Sequence, residues 1–202
     1  MSMHIDGKKV TAMYWGGRKI REAWHEGERV FSGSKPVEVM PPTPDHLDSR
    51  DWLRAKLTEY GEGYETVEEI PFEIDSSQAT VMSSMFDGCS SLVTVPPMDT
   101  SQVMSMDYMF YGCSSLVTVP PMDTSQATVM SSMFDGCSSL VTVPPMDTSQ
   151  VMSMEYMFYG CSSLTDGNVR LIGRSQYVGT SDMITGSGLT REPFYDSDGQ
   201  PI

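Results

Sequence analysis

Basic residues are absent from Ser76 to Ser163, a stretch that carries seven acidic ones: Asp87, Asp99, Asp107, Asp123, Asp135, Asp147 and Glu155. The chain as a whole has 13 Lys and Arg against 27 Asp and Glu, a formal net charge of −14. Such a balance excludes sequence-independent nucleic-acid binding, which needs cations to neutralise phosphates. No apolar run reaches the length of a membrane span. The opening Met1-Ser2-Met3-His4-Ile5-Asp6-Gly7-Lys8-Lys9 has neither the apolar core nor the cleavage site of a secretory signal. Synthesis in the cytoplasm, without membrane insertion, is therefore expected. Histidine is scarce as well. His4, His25 and His46 lie outside the repeats described next, and none adjoins a Cys or Ser motif that would pair a nucleophile with a base. No glycine loop suited to phosphate is found, since Gly16-Gly17 has a hairpin setting. Neither enzymatic activity nor a cofactor is expected.

What the chain does have is self-similarity. Met85-Phe86 returns as Met109-Phe110, Met133-Phe134 and Met157-Phe158, and Gly88-Cys89-Ser90-Ser91-Leu92 returns with Cys113, Cys137 and Cys161, always after 24 residues. Gln78 to Leu116 also equals Gln126 to Leu164 at every position except Asp107, where the copy has Glu155. The array is thus a doubled 48-residue pair. Thirteen of the 18 methionines lie between Ser76 and Ser163.

A unit of this length cannot bury its apolar side alone, so neighbours must stack into a shared core. The spacing predicts parallel strands at Leu92-Val93-Thr94-Val95 and its copies, short helical turns at the Met-Phe segments, and strand ends at Pro96-Pro97. Thr100 or Ser101 would cap the helical turn that follows. The expected class is α/β: a short leucine-rich-repeat-type solenoid of about five strand/short-helix coils with a parallel sheet, preceded by a small antiparallel β-meander.

The predicted boundaries are a three-stranded meander at 1–34, a proline-rich linker at 35–45, a helical cap with an atypical first coil at 46–75, the solenoid at 76–173 and a C-terminal cap at 174–202. In the cap, a short helix from Ser181 and a turn at Asp198-Gly199 are expected. The first 35 residues hold seven basic groups against four acidic ones, so this part should attract a different partner from the acidic repeats. About 30 residues rarely bury enough to stand alone, so the meander should dock onto something, with Tyr14, Trp15, Trp24 and Phe31 as the candidate attachment residues.

The string Met98-Asp99-Thr100-Ser101-Gln102-Val103-Met104-Ser105-Met106-Asp107-Tyr108-Met109-Phe110-Tyr111-Gly112-Cys113-Ser114-Ser115-Leu116 closely resembles the repeat of BspA-like leucine-rich-repeat surface proteins. That resemblance covers Ile74 to Leu164 and implies an α/β solenoid with a display or adhesion role. The N-terminal pattern Lys9-Val10, Met13-Tyr14, Gly16-Gly17, Lys19-Ile20, Ala23-Trp24, Gly27 and Val30-Phe31 is similar to the opening of small virion proteins of tailed phages, especially minor tail proteins. Together the two imply a virion structural protein, multimeric in the particle. Its N-terminal module would contact other virion proteins, and its repeats would contact a host envelope protein or glycan. A minor tail or tail-tip component leads; a capsid decoration or head fibre protein and a bacterial surface adhesin are the alternatives.

The core ladder predicted from the repeat is Phe86, Phe110, Phe134 and Phe158; Cys89, Cys113, Cys137 and Cys161; Leu92, Leu116, Leu140 and Leu164. For the cysteines a reduced buried ladder is favoured. Stacked side chains point the same way, which disfavours disulfides, and zinc lacks a C-x-x-C motif or a nearby His. Asp99, Asp123 and Asp147 suit turns that bond their own backbone two residues on, ahead of a calcium site. Tyr108, Tyr111, Tyr156 and Tyr159 recur only in alternate coils. With Asp107 and Glu155 they form an acidic recognition stripe, or else some fill core space in alternation with Ser84 and Ser132.

Overall fold

The computed structural model describes residues 4–5, 8–9, 13–15, 18–20, 22–25, 28–32, 35–41, 46–175 and 178–202, with the backbone alone described from 4 to 32 and from 46 to 48. In the N-terminal part the described strands pair two by two: β1 (His4–Ile5) with β2 (Lys8–Lys9), β3 (Met13–Trp15) with β4 (Arg18–Ile20), and β5 (Glu22–His25) with β6 (Glu28–Ser32), all antiparallel. The turn expected at Gly16-Gly17, and the side chains of Tyr14, Trp15, Trp24 and Phe31, lie outside the described residues.

Backbone hydrogen bonds join each 24-residue coil to the next. Met82, Ser84, Phe86 and Gly88 donate N–H to the carbonyls of Ser105, Asp107, Met109 and Tyr111, and the same four positions repeat in the following coils. The intervening Met85, Asp87 and Cys89 donate locally, to the carbonyls of Met82, Ser84 and Phe86. Donors therefore alternate between the neighbouring coil and a residue three back. An α-helix needs every donor for the carbonyl four back. This segment cannot be one, which corrects the expected short helices: it is a chain of turns.

The expected place of the parallel ladder also shifts. Its longest run passes through Val81, Ser105, Val129, Ser153 and Gly179, at the start of the Met-Phe segment. The Leu-Val-Thr-Val segments contribute isolated bridges, Glu69 with Thr94 and Thr118 with Thr142. Pro96-Pro97 and its copies remove two consecutive donors there, which keeps the ladder short. Thr100 and Ser101 do not cap helices. Buried hydroxyls of Ser76, Thr100 and Thr124 donate instead to the carbonyls of Asp99, Asp123 and Asp147, tying coil to coil.

Inside the stack, the Phe, Cys and Leu ladders are all fully buried, together with Met82, Met85 and their copies. Successive Phe rings are stacked, with centroids 5.3–5.7 Å apart and planes within 6°. The turn glycines have φ near +70° and sit back to back. A Cβ on Gly136 would lie 3.5 Å from the Gly112 Cα, an ordinary contact, so it is the backbone conformation that calls for glycine.

Ahead of segment 82–86 no matching segment is stacked among the described residues, and side chains from the residues before it supply the missing donors. Helix α1 (His46–Glu59) buries Leu53 and Leu57 against the core. Ser49 Oγ donates to the Val81 carbonyl at 2.8 Å and Tyr64 Oη to the Met85 carbonyl at 2.9 Å. In later coils those carbonyl positions accept backbone N–H from the coil before. Residues 35–41, expected to be linker, contain strand β7 (Val37–Val39), which pairs in parallel with β8 (Glu73–Asp75). Pro36 contributes its carbonyl to Glu73 N–H, and Met40 is buried, so this stretch is part of the stack.

At the other end, β9 (Met146–Asp147), β10 (Leu171–Ile172) and β11 (Phe194–Tyr195) form a parallel three-stranded sheet in the order β11-β10-β9. The expected helix from Ser181 is a run of turns that stacks as one more coil, with Phe158 and Gly160 donating to the Met183 and Thr185 carbonyls. A turn containing Asp198-Gly199 folds the last residues back onto β11, where Ile202 N–H reaches the Phe194 carbonyl.

Candidate binding surface

Two kinds of coil alternate, and their outward side chains differ. At one position Ser84 and Ser132 stand in the first kind, Tyr108 and Tyr156 in the second. All four have positive φ, between 52° and 58°. The left-handed conformation costs an ordinary L-residue about 1–2 kcal/mol. Burial does not offset this for the tyrosines, which are 43% and 40% exposed where the serines are 8% and 5% exposed. The core-filling alternative is thereby corrected: Tyr108, Tyr111, Tyr156 and Tyr159 are all exposed.

Within each tyrosine coil the two rings meet. Tyr108 and Tyr111 have centroids 5.8 Å apart at 60°, and Tyr156 and Tyr159 5.9 Å apart at 63°. Such tilted contacts hold the rings against each other while leaving outer faces open. Exposed Met104 and Met152 belong to the same coils, at the position that Thr80 and Thr128 fill in the other kind. Asp107 accepts hydrogen bonds from the hydroxyls of Ser83 and Ser105, bridging two coils. The longer Glu155 is exposed, and below it Ser131 and Ser153 pair their hydroxyls at 2.6 Å.

The remaining candidates have structural environments. Cys113, Cys137 and Cys161 are free and buried, and each donates its thiol to a Phe carbonyl 27 residues earlier, at 3.0–3.1 Å. Burial pushes the Cys89 and Cys161 thiols up to about 12, and Cys113 and Cys137 well above the ordinary range. Asp99, Asp123 and Asp147 each accept the N–H and hydroxyl of the serine two residues on. These bonds, with the backbone one foremost, hold the Asp99 and Asp123 carboxyls below their usual range. Burial raises Asp87 and Asp135, with Arg50 at 2.9 Å working against it at Asp87. Among the described residues no group of three metal-ligating side chains converges. The side chains of His4, His25 and His46 lie outside the described residues. A groove of about 660 Å³, lined by Lys35, Val37, Glu69, Glu73 and Pro96-Pro97, lies near the N-terminal end; its Lys35 is ion-paired with Glu69 at 2.5 Å.

Two features escape a reading of the sequence alone. Met104 and Met152 recur where the other coils have Thr80 and Thr128, but in a methionine-rich chain residue type alone does not tell the outward methionines from the buried ones. The last coil is masked by drift: Asp182-Met183-Ile184-Thr185-Gly186-Ser187 replaces Ser84-Met85-Phe86-Asp87-Gly88-Cys89 and follows its predecessor after 26 residues. Asp182 keeps the positive φ of that position.

In comparisons with known proteins, the family model described as "Mycoplasma protein of unknown function, DUF285" matches residues 80–189, ending within that divergent coil. No curated protein and no solved structure matches the chain.

Proposed function

The chain belongs to the DUF285 family, a match consistent with BspA-like surface repeats, and we propose that it is a non-enzymatic binding module: a leucine-rich-repeat-type solenoid displaying the tyrosine coils to a partner. One observation carries this reading. At the position where Ser84 and Ser132 are buried in the same left-handed backbone, Tyr108 and Tyr156 stand 43% and 40% exposed, each against a second exposed tyrosine. Paired exposed rings that recur only in alternate coils support recognition.

The setting proposed for this module is a phage particle, as a minor tail or tail-tip component attached through residues 1–34. It is supported by the likeness of that segment to the openings of phage virion proteins and by its basic character beside an acidic array. A capsid decoration protein would share these features. Membership of the DUF285 family favours a second reading, a bacterial cell-surface adhesin. Gold-labelled antibody against the repeats separates the three: label on tail tips is expected, label on heads identifies the decoration protein, and label on uninfected cells identifies the adhesin. Swapping the tyrosine coils to the serine type should abolish attachment to cells. Unchanged attachment would refute the binding surface.

A further inference from the structure

We infer that the two tyrosine pairs hold successive disaccharide units of a linear, amine-bearing polysaccharide that runs along the stacking direction, an inference that rests on the binding-surface reading above. The period is the first argument. The patch of Met104, Tyr108 and Tyr111 recurs as Met152, Tyr156 and Tyr159 after two coils. Parallel neighbours lie ~4.8 Å apart, which sets the patches roughly 10 Å apart. That spacing is rigid, because the intervening coil is hydrogen-bonded on both sides. A β-linked chain of pyranoses turns over at each sugar and repeats after two, at a length of the same order. An extended peptide repeats its same-face side chains after roughly 7 Å and falls out of register.

Chemistry is the second argument. A tilted tyrosine pair offers ring faces to the C–H faces of sugars and phenolic hydroxyls to their hydroxyl groups. Ring faces also attract ammonium groups. Charge then selects among glycans. From Ser76 to Ser163 there is no Lys or Arg, and Asp107 and Glu155 adjoin Tyr108 and Tyr156. A polymer bearing uronates or phosphates meets repulsion along the whole array, whereas one bearing free amines meets a complementary surface.

The test is calorimetric titration of the full chain, at physiological salt, with the fully deacetylated glucosamine dimer and hexamer, the N-acetylated hexamer, a hyaluronan hexasaccharide and hexalysine. Spanning both patches should make the deacetylated hexamer bind at least about tenfold tighter than the dimer. It should exceed the N-acetylated hexamer by a similar factor, and hyaluronan should not bind. Tyr156→Ser with Tyr159→Asp should then bring the hexamer down to the level of the dimer, although the surface becomes more acidic. Ser132 and Asp135 already occupy the equivalent positions, so the fold accommodates the swap. Affinity independent of chain length, equal binding of the acetylated hexamer or of hexalysine, or no binding at all would overturn the inference. If no glycan binds but swapping both coils still abolishes attachment to cells, the polysaccharide inference falls and the binding surface stands. If attachment survives the swap, both fall.

Discussion

The serine coils and the tyrosine coils share an interior that differs in one buried exchange, Ala79 and Ala127 for Val103 and Val151, and most of their differences lie outside. Met85, Phe86, Cys89 and Leu92 in one kind, and Met109, Phe110, Cys113 and Leu116 in the other, are all fully buried at equivalent positions. On the outer surface, Thr80, Ser84 and Asp87 give way to Met104, Tyr108 and Tyr111. Stacking constrains each inward residue through its neighbours above and below, because a misfit propagates to both. Outward residues carry no such constraint. Their alternation is therefore information about what the surface does, whereas the nearly uniform interior is information about how it stands.

Equivalence inside is the half of this comparison easiest to break. Phe110→Ala and Phe134→Ala each open a cavity between two stacked rings and should cost about 3–5 kcal/mol by urea denaturation. The two costs should agree to about 1 kcal/mol, one variant being in a tyrosine coil and the other in a serine coil. A wider gap would show that the coils are not interchangeable cores. A smaller effect is expected from Thr124→Val, which removes the buried hydroxyl bonded at 2.9 Å to the Asp147 carbonyl. The shape is kept and a carbonyl is left short of a partner, so the loss should be about 1–2 kcal/mol.

The repeat, its period and its buried residues were legible because a strict 24-residue period leaves few ways to stack. The local conformation was not. Leu92-Val93-Thr94-Val95 reads as a strand by β-propensity, and Met-Phe segments read as helical. In the structure the longest parallel ladder runs through Ser105 and Val129, because the Pro-Pro pairs remove the donors that would extend the apparent strand. Propensity describes a segment alone, whereas here each donor's destination is decided by the adjacent coil. For the candidate surface, the tyrosines were visible by their alternate recurrence. Their exposure was not, because Ser84 and Ser132 are buried in the same left-handed backbone, and only the packing around that position shows that the larger rings reach outward.

The outer half of the comparison can be sharpened at Tyr108. Tyr108→Gly relieves about 1–2 kcal/mol of left-handed strain, against about 0.5–1 kcal/mol of unfolded-chain entropy and about 0.5–1.5 kcal/mol for the lost contact with the Tyr111 ring, so its stability should stay within about 1 kcal/mol of the parent. Ser132→Gly makes the same backbone exchange and removes only a small side chain, so it should change as little. A thermal melt of the pair checks this. Nearly unchanged stability with weaker attachment in Tyr108→Gly is the signature of a position kept for binding, and a much larger loss than in Ser132→Gly would show that the ring supports the fold.

The smallest expected effect separates two aspartates that occur in the same coil plan. Asp123 accepts the Ser125 N–H at 3.0 Å and its hydroxyl at 2.7 Å, which favours the charged form and lowers its pKa from 3.8. A folded value below the unfolded one means stability that is present above about 3.8 and is lost as pH falls through the folded value. Asp135 is the opposite case. Burial favours its neutral form and raises its pKa, so its favourable contribution is complete below 3.8 and disappears as pH climbs through the unfolded and then the folded value. Asp123→Asn should therefore lower the melting temperature slightly at neutral pH and flatten the decline on acidification. Asp135→Asn should raise it slightly at neutral pH and leave it unchanged near pH 3, where the carboxyl is already neutral. Tyrosine coils carry Tyr111 and Tyr159 where serine coils carry Asp87 and Asp135, so this second titration belongs to one kind of coil alone. At Asp87 the Arg50 guanidinium opposes the upward shift, so Asp87→Asn should forfeit an ion pair and gain less than Asp135→Asn. Identical pH profiles for the two Asn variants would mean that burial of Asp135 has no energetic consequence, and the distinction between the coils would then rest on the tyrosines alone.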